Sequence, residues 1–110
     1  MKKLLWEILI PAFSNSFDEF SVEYHQEWDH YVQSLAEGLT IFKKSKGIWI
    51  GPDNVQFKEE MIPVRISCSK TQIESIANFT AAHYQQKAVM FYLISTEVYI
   101  VHYNKKLKSG

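Results

Sequence analysis

Apolar residues along the chain recur at a spacing that switches between two and about 3.6, and each switch predicts an element. Residues 4–10 form a short, β-rich apolar run, and Pro11 ends it because proline has no N–H to give a ladder. The polar Ser14, Asn15 and Ser16, with Phe13 and Phe17, predict a loop. Ser21 can cap a helix beginning at Val22, and Tyr24, Trp28, Tyr31, Val32, Leu35 and Leu39 then share one helical face. Gly38 is the expected left-handed stop. Two short β runs, 39–42 and 48–50, flank the lysine-rich segment 43–47, read as a turn closed by Gly47. A second turn follows at Gly51, Pro52, Asp53 and Asn54.

Residues 55–68 read as extended, with Val64, Ile66 and Cys68 alternating against Arg65 and Ser67. Pro63 within that run points to an edge position or a bulge. Ser69 or Thr71 can cap a second helix with Ile73, Ile76, Ala77, Thr80, His83 and Tyr84 on one face. The β-branched and aromatic runs 88–95 and 98–103, split by Thr96 and Glu97, predict a hairpin. This order is that of an α+β, ferredoxin-like βαββαβ domain with an extra C-terminal strand, an antiparallel sheet carrying two helices on one face. One domain over 1–110 is expected, with 104–110 a frayed tail. The uncovered sheet face, rich in aromatics such as Phe42, Trp49, Phe91, Tyr92, Tyr99 and Tyr103, predicts a homo-oligomer formed through that face or a strand edge.

Composition narrows the partners. Among 110 residues, 12 are Lys or Arg and 12 are Asp or Glu, so no net field draws the chain to nucleic acid or to an anionic membrane surface. The basic and aromatic signature of RNA-recognition motifs is also missing, and nucleic acid is not an expected partner. The single cysteine, Cys68, excludes an internal disulfide framework and multi-thiolate zinc sites. Glu7 interrupts the apolar start and no cleavage pattern follows, nor does any apolar run approach the roughly 20 residues that span a bilayer. A cytoplasmic, membrane-free protein is the expectation.

Chemistry-bearing residues are few. His25 with Asp29, and Glu27 with His30, stand one helical turn apart, but two ligands make a weak metal site and a solvated helix face accounts for them; no metal or cofactor is expected. His83 falls on the apolar stripe of the second helix and His102 in the last run; imidazoles suit acid–base work, and His83 is the better candidate. Glu59 and Glu60 adjoin on an extended segment, so one of them turns inward, and an inward Glu59 would be a general-base candidate. Cys68 precedes a helix, a position that activates thiols, yet its alternation with Val64 and Ile66 marks a small core residue. No phosphate loop, nucleophile elbow or zinc-protease motif occurs.

Gly38-Leu39-Thr40, Gly47-Ile48-Trp49, Glu59, and Tyr84-Gln85-Gln86-Lys87-Ala88-Val89 together resemble a small uncharacterised bacterial family, a domain of unknown function with the pattern GLT, GxW, E and QxAV. Trp28 and Tyr31 lie closer to GLT than in that pattern, and the turn after Trp49 lacks its usual Asp-Gly, as in a divergent member. The resemblance implies a ferredoxin-like fold, supplies no activity, and singles out Trp49, Glu59 and Gln86. With Tyr92 these are the candidate ligand-binding residues, and His83 and Glu59 the candidate catalytic ones. The leading expectation is a homo-oligomeric ligand-binding or interaction domain without catalysis. The alternative is an enzyme on a dimeric α/β barrel, like small monooxygenases or isomerases, with His83, Trp49, Glu59 and Tyr92 around a cavity between helices and sheet.

Overall fold

A computed structural model describes residues 3–103; the segment 104–110, expected to be a tail, lies outside them. Seven elements follow one another: β1 (Lys3–Pro11), α1 (Val22–Leu35), β2 (Gly38–Ile41), β3 (Ser45–Ile50), β4 (Gln56–Ser67), α2 (Lys70–His83) and β5 (Phe91–Val98). The fold is α+β and ferredoxin-like. Its antiparallel sheet has the order β2-β4-β1-β5, and β3 continues along β4 beyond β2.

Local chemistry starts each helix where the sequence places it. Ser21 Oγ accepts the Tyr24 N–H at 3.1 Å, capping α1. Ser69 and Gln72 form a reciprocal capping box on α2. Gln72 Nε2 also donates to the Leu35 carbonyl at 2.8 Å, so one residue supports the start of α2 and the end of α1. The core lies between the helices and one sheet face: Trp6, Ile8 and Ile10 of β1 and Val64 and Ile66 of β4 meet Trp28, Val32, Ile73, Ile76 and Tyr84. Its polar atoms are paired. Trp28 Nε1–H donates to Thr80 Oγ1 at 2.8 Å, Thr80 donates to the Ile76 carbonyl, and Trp6 Nε1–H donates to the Cys68 carbonyl.

Several local expectations are corrected. No glycine among the described residues has positive φ, so Gly38 is not a left-handed stop. Helix α1 ends at Leu35, Ala36 turns extended, and Gly38 opens β2 opposite Ser67. Nor does the lysine-rich segment reverse the chain. β2 and β3 both run antiparallel to β4 along the same edge, and between the pairs Ile41–Val64 and Ser45–Met61 that edge spends one residue more than β4 does. The link is therefore a bulge-like jog. Pro63 lies opposite it, in an interior strand, and its carbonyl accepts the Phe42 N–H at 2.9 Å. An extended residue points its N and O to the same side, so the missing Pro63 N–H falls where no ladder partner is needed.

Gly47 sits within β3, opposite Glu59, and a Cβ there would stand 2.3 Å from Met61 Cε. Close approach, not turn geometry, makes glycine suitable at this position. The expected C-terminal hairpin is absent among the described residues. β5 continues past Thr96 and Glu97, with register shifts against β1, to Val98, which pairs with Lys3, and 99–103 form no strand. β3, expected as a short run at 48–50, begins earlier, at Ser45, and joins the same edge of β4 as β2 through the jog.

Candidate functional site

β3, the turn 51–55 and the first half of β4 make a hairpin arm that reaches past the end of β1. Gly51 N–H donates to the Val55 carbonyl at 2.8 Å, and Asn54, at φ 57°, supplies the left-handed residue that closes the turn. Phe57, Glu59 and Met61 of β4 share the parity of Arg65. On β1, Leu9 and Pro11 alternate with the buried Ile8 and Ile10, so all of these side chains lie on the sheet face turned away from the helices.

That face holds a cavity of about 950 Å³, walled by the arm, by Leu9 and Pro11, by Asn15, and by the segment 86–91 that leads from α2 into β5. Trp49, Glu59 and Gln86 meet there from three separate stretches of chain. Trp49 is half-buried and faces Phe57 across the β3–β4 ladder. Its Nε1–H is buried and has no hydrogen-bond acceptor among the described residues. Glu59 is exposed on the cavity wall, and its carboxylate makes no ion pair among the described residues. Gln86 donates from Nε2 to the Tyr84 carbonyl at 3.1 Å, which leaves its side-chain oxygen available at the wall.

Tyr92 and His83 lie elsewhere. The Tyr92 hydroxyl donates to Glu7 Oε2 on the open sheet face, while Arg65 Nε donates to Glu7 Oε1 at 3.1 Å and rests its guanidinium over the Phe42 ring. This row ties β4, β1 and β5 together around Glu7, a carboxylate only 9% exposed. The hydrogen bond to Glu7 raises the Tyr92 pKa, and burial and the carboxylate charge add to it. Glu7 shows in the sequence only as a break in an apolar run, and its role as a cross-strand anchor escapes pattern reading.

His83 closes α2 on the opposite side of the sheet. Its Nε2–H donates to the Tyr24 carbonyl at 2.9 Å and its ring stacks on Tyr24 at 4.1 Å, while the Tyr24 hydroxyl donates back to the His83 carbonyl. The ring is one of a column, Tyr31, Phe79, His83, Tyr24 and Phe20, along the seam between α1 and α2. The space between helices and sheet is occupied by side chains there, so the expected grouping of His83 with Trp49, Glu59 and Tyr92 around one helix–sheet cavity does not form. His25 joins the seam through Nδ1, 2.7 Å from the Tyr84 hydroxyl; burial lowers its pKa, and burial raises those of Asp29 and Tyr84. Burial also pushes the Cys68 thiol up to about 11, which suits an unreactive core residue. Among the described residues no three His, Cys, Asp or Glu side chains converge to hold a metal ion, and no helix is long and apolar enough to cross a membrane.

The chain is thus a small α+β protein of the ferredoxin-like kind with a cavity on the bare face of its sheet. No family model matches it, and no curated protein does. Solved structures of the same shape include the divalent cation tolerance protein CutA1 of Thermus thermophilus, at 12% identity and a TM-score of 0.59 over 99% of this chain and 93% of that one. CutA1 of a psychrotrophic Shewanella species is similar at 16% identity and a TM-score of 0.62, over 97% and 90%. A phage SAM lyase in complex with S-methyl-5'-thioadenosine is similar at 9% identity and a TM-score of 0.66, over 87% and 83%. At such identities the likeness is one of fold.

Proposed function

We propose that this chain is a homo-oligomeric binding domain that holds a small organic molecule in the cavity beside the β3–β4 arm. The observation that carries this reading is the meeting of Trp49, Glu59 and Gln86 around about 950 Å³, with the buried Trp49 N–H left without an acceptor among the described residues. The volume lies toward the upper end of the roughly 300–1,000 Å³ usual for ligand sites. The walls dictate the chemistry. Trp49 and Phe57 suit a planar aromatic body, the indole N–H wants an acceptor, and Glu59 wants a hydrogen-bond donor or a cation.

A nucleoside meets each demand, and the fold likeness to a phage SAM lyase solved with S-methyl-5'-thioadenosine makes that compound the first probe. Calorimetry with it is expected to give binding that Trp49→Phe, which keeps a ring and loses the N–H, weakens several-fold. Glu59→Gln is expected to weaken it by about tenfold, one charge-assisted hydrogen bond. No heat and no thermal shift up to millimolar nucleoside would sink the ligand reading.

The oligomer rests on surface that the chain cannot bury by itself. Ile48, Ile50, Val55 and Phe57 on the arm, and Leu93 and Ile94 on β5, whose outer edge has no partner strand among the described residues, are 37% exposed or more. Two dissimilar free edges of one sheet allow copies to add head to tail, which closes into a ring when the rotation permits. Light scattering should report more than one copy per particle at micromolar protein, and a strict monomer at high micromolar concentration would remove this part alone. A cytoplasmic setting, where thiols stay reduced, is compatible with the single buried Cys68.

A second reading is favoured by the same likeness together with the Glu59 carboxylate on the wall: an enzyme acting on S-adenosylmethionine. Chromatography of S-adenosylmethionine incubated with the protein separates the two. Formation of S-methyl-5'-thioadenosine that Glu59→Gln abolishes supports the enzyme, and unchanged S-adenosylmethionine removes it.

A further inference from the structure

The cavity at Trp49 does not end at Glu59. A smaller hollow of about 460 Å³ adjoins it, and Asn15, Phe57, Glu59 and Gln86 belong to the walls of both. The two are lobes of one cleft, with Glu59 on the shared wall. Lys58 and Glu60 line the smaller lobe as well as Phe57 and Glu59, although neighbours on a strand point to opposite faces. The reason is position: β1 pairs with β4 only as far as Met61 and the Ala12 N–H then takes the Glu60 carbonyl at 3.1 Å, so before Glu60 this edge of β4 has no partner strand among the described residues and the hollow runs round it.

The far wall is the loop 14–18, and it is braced throughout. Ser14 Oγ accepts the backbone N–H groups of Ser16 and Asp18, each at 3.2 Å, while Ser14 N–H donates to the Asp18 carbonyl and Phe17 N–H to the Ser14 carbonyl. Asn15 Nδ2 donates to the Gln85 carbonyl at 2.9 Å, which bolts the loop to the turn that carries Gln86. Phe17 and Gln85, on the two sides of that bolt, both have left-handed backbones, at φ 64° and 53°. Phe17 is also 87% exposed. A bulky aromatic in that conformation costs folding free energy, and an exposed ring recovers none of it by burial. Stability gives no reason for phenylalanine at this tip; a ligand beneath it would.

The charges define that ligand. Lys44 takes up Glu60 at 3.4 Å, whereas Lys58 and Glu59 make no ion pair among the described residues. One ammonium and one carboxylate stand on adjacent residues of the lobe. We propose that the smaller lobe is a second subsite of the same ligand, taking an amino-acid-like arm with its carboxylate toward Lys58, its ammonium toward Glu59, and Phe17 over its methylenes. The inference rests on the reading of the larger lobe as a ligand site, where the aromatic body sits. The rigid loop then selects ligands that span both lobes from those that fill one.

Two neutral thioether nucleosides isolate the arm: S-adenosylhomocysteine carries it, and S-methyl-5'-thioadenosine has a methyl group in its place. Calorimetry on the wild-type protein should show the first binding at least tenfold more tightly. Lys58→Met and Phe17→Gly should each bring the first to within about threefold of the second while leaving the second unchanged. Glycine adopts the backbone of residue 17 without strain, so Phe17→Gly keeps the fold and its thermal midpoint does not drop. Equal affinity of the two nucleosides for the wild type, or variants that weaken both alike, would overturn the subsite and leave the larger lobe standing. Failure of both nucleosides to bind would overturn the larger lobe and the subsite with it.

Discussion

Two tryptophans show how differently one residue type is used. Trp28 is fully buried, with its indole N–H given to Thr80. Trp28→Ala should cost about 3–5 kcal/mol, the range for removing a large core aromatic, and the denaturant midpoint will report it. Trp49 stands on the arm, half-buried with an N–H that has no acceptor among the described residues, and Trp49→Ala should cost less than about 2 kcal/mol while abolishing nucleoside binding. A loss as large as that of Trp28→Ala would make Trp49 a core residue and would weaken the case for the cavity. Gly47 lies behind it: an added Cβ would stand 2.3 Å from the end of the flexible Met61 side chain and 3.5 Å from Trp49 Nε1, so Gly47→Ala should fold once Met61 swings aside and should change the cavity wall.

At the scale of elements, the sheet and the helix pair are each held by a polar or aromatic row across their seams. Glu7 accepts from Arg65 of β4 and from Tyr92 of β5, and Glu7→Ala would leave both donors without their acceptor. The expected loss is about 1–3 kcal/mol of stability in denaturant unfolding, and none would mean that the row is redundant. Between the helices, His25 has a pKa lowered by burial from 6.5, with Asp29 and Glu19 opposing and His83 adding to the shift. The unfolded chain therefore binds the proton more readily, and stability is lost as pH falls below about 6.5. Asp29, raised from 3.8 by its burial, is a group to which the native state binds the proton more readily, so as pH falls it opposes that loss and does not account for it. Thermal midpoints between pH 7.5 and 5.5 should fall for the wild type and stay flatter for His25→Gln; equal slopes would remove His25 as the cause.

For the whole molecule, shape is the informative quantity. The radius of gyration is 17.0 Å with a longest extent of 65 Å, whereas a compact domain of this length has about 13 Å. The arm, which reaches past the end of β1, contributes to that extent and carries apolar side chains without burying them. An assembly that packs the arm of one copy on another would bury that surface. Ile50→Lys, at a residue 74% exposed, should leave the fold of the single chain intact and lower the particle mass in light scattering. An unchanged mass would place the interface elsewhere.

Local rules alone determined the two helices, their serine caps, the alternation of Val64 and Ile66, and the α+β order, because capping and periodicity depend on residues within one turn or one strand. They misread Gly38, Gly47 and the lysine run, because the jog between β2 and β3 exists only through pairing with β4, which lies later in the chain. They also set His83 and Tyr92 beside Trp49, where the topology separates all three. The hairpin expected at Thr96 and Glu97 gave way to β5, which continues to Val98 and pairs with β1 through two register shifts. The cleft itself was legible only in part. Trp49, Glu59 and Gln86 stand out in the sequence, but the space they share is made by the reach of the arm past the end of β1. Distance along the chain carries no record of such a gap, and only the tertiary arrangement of strand ends decides it.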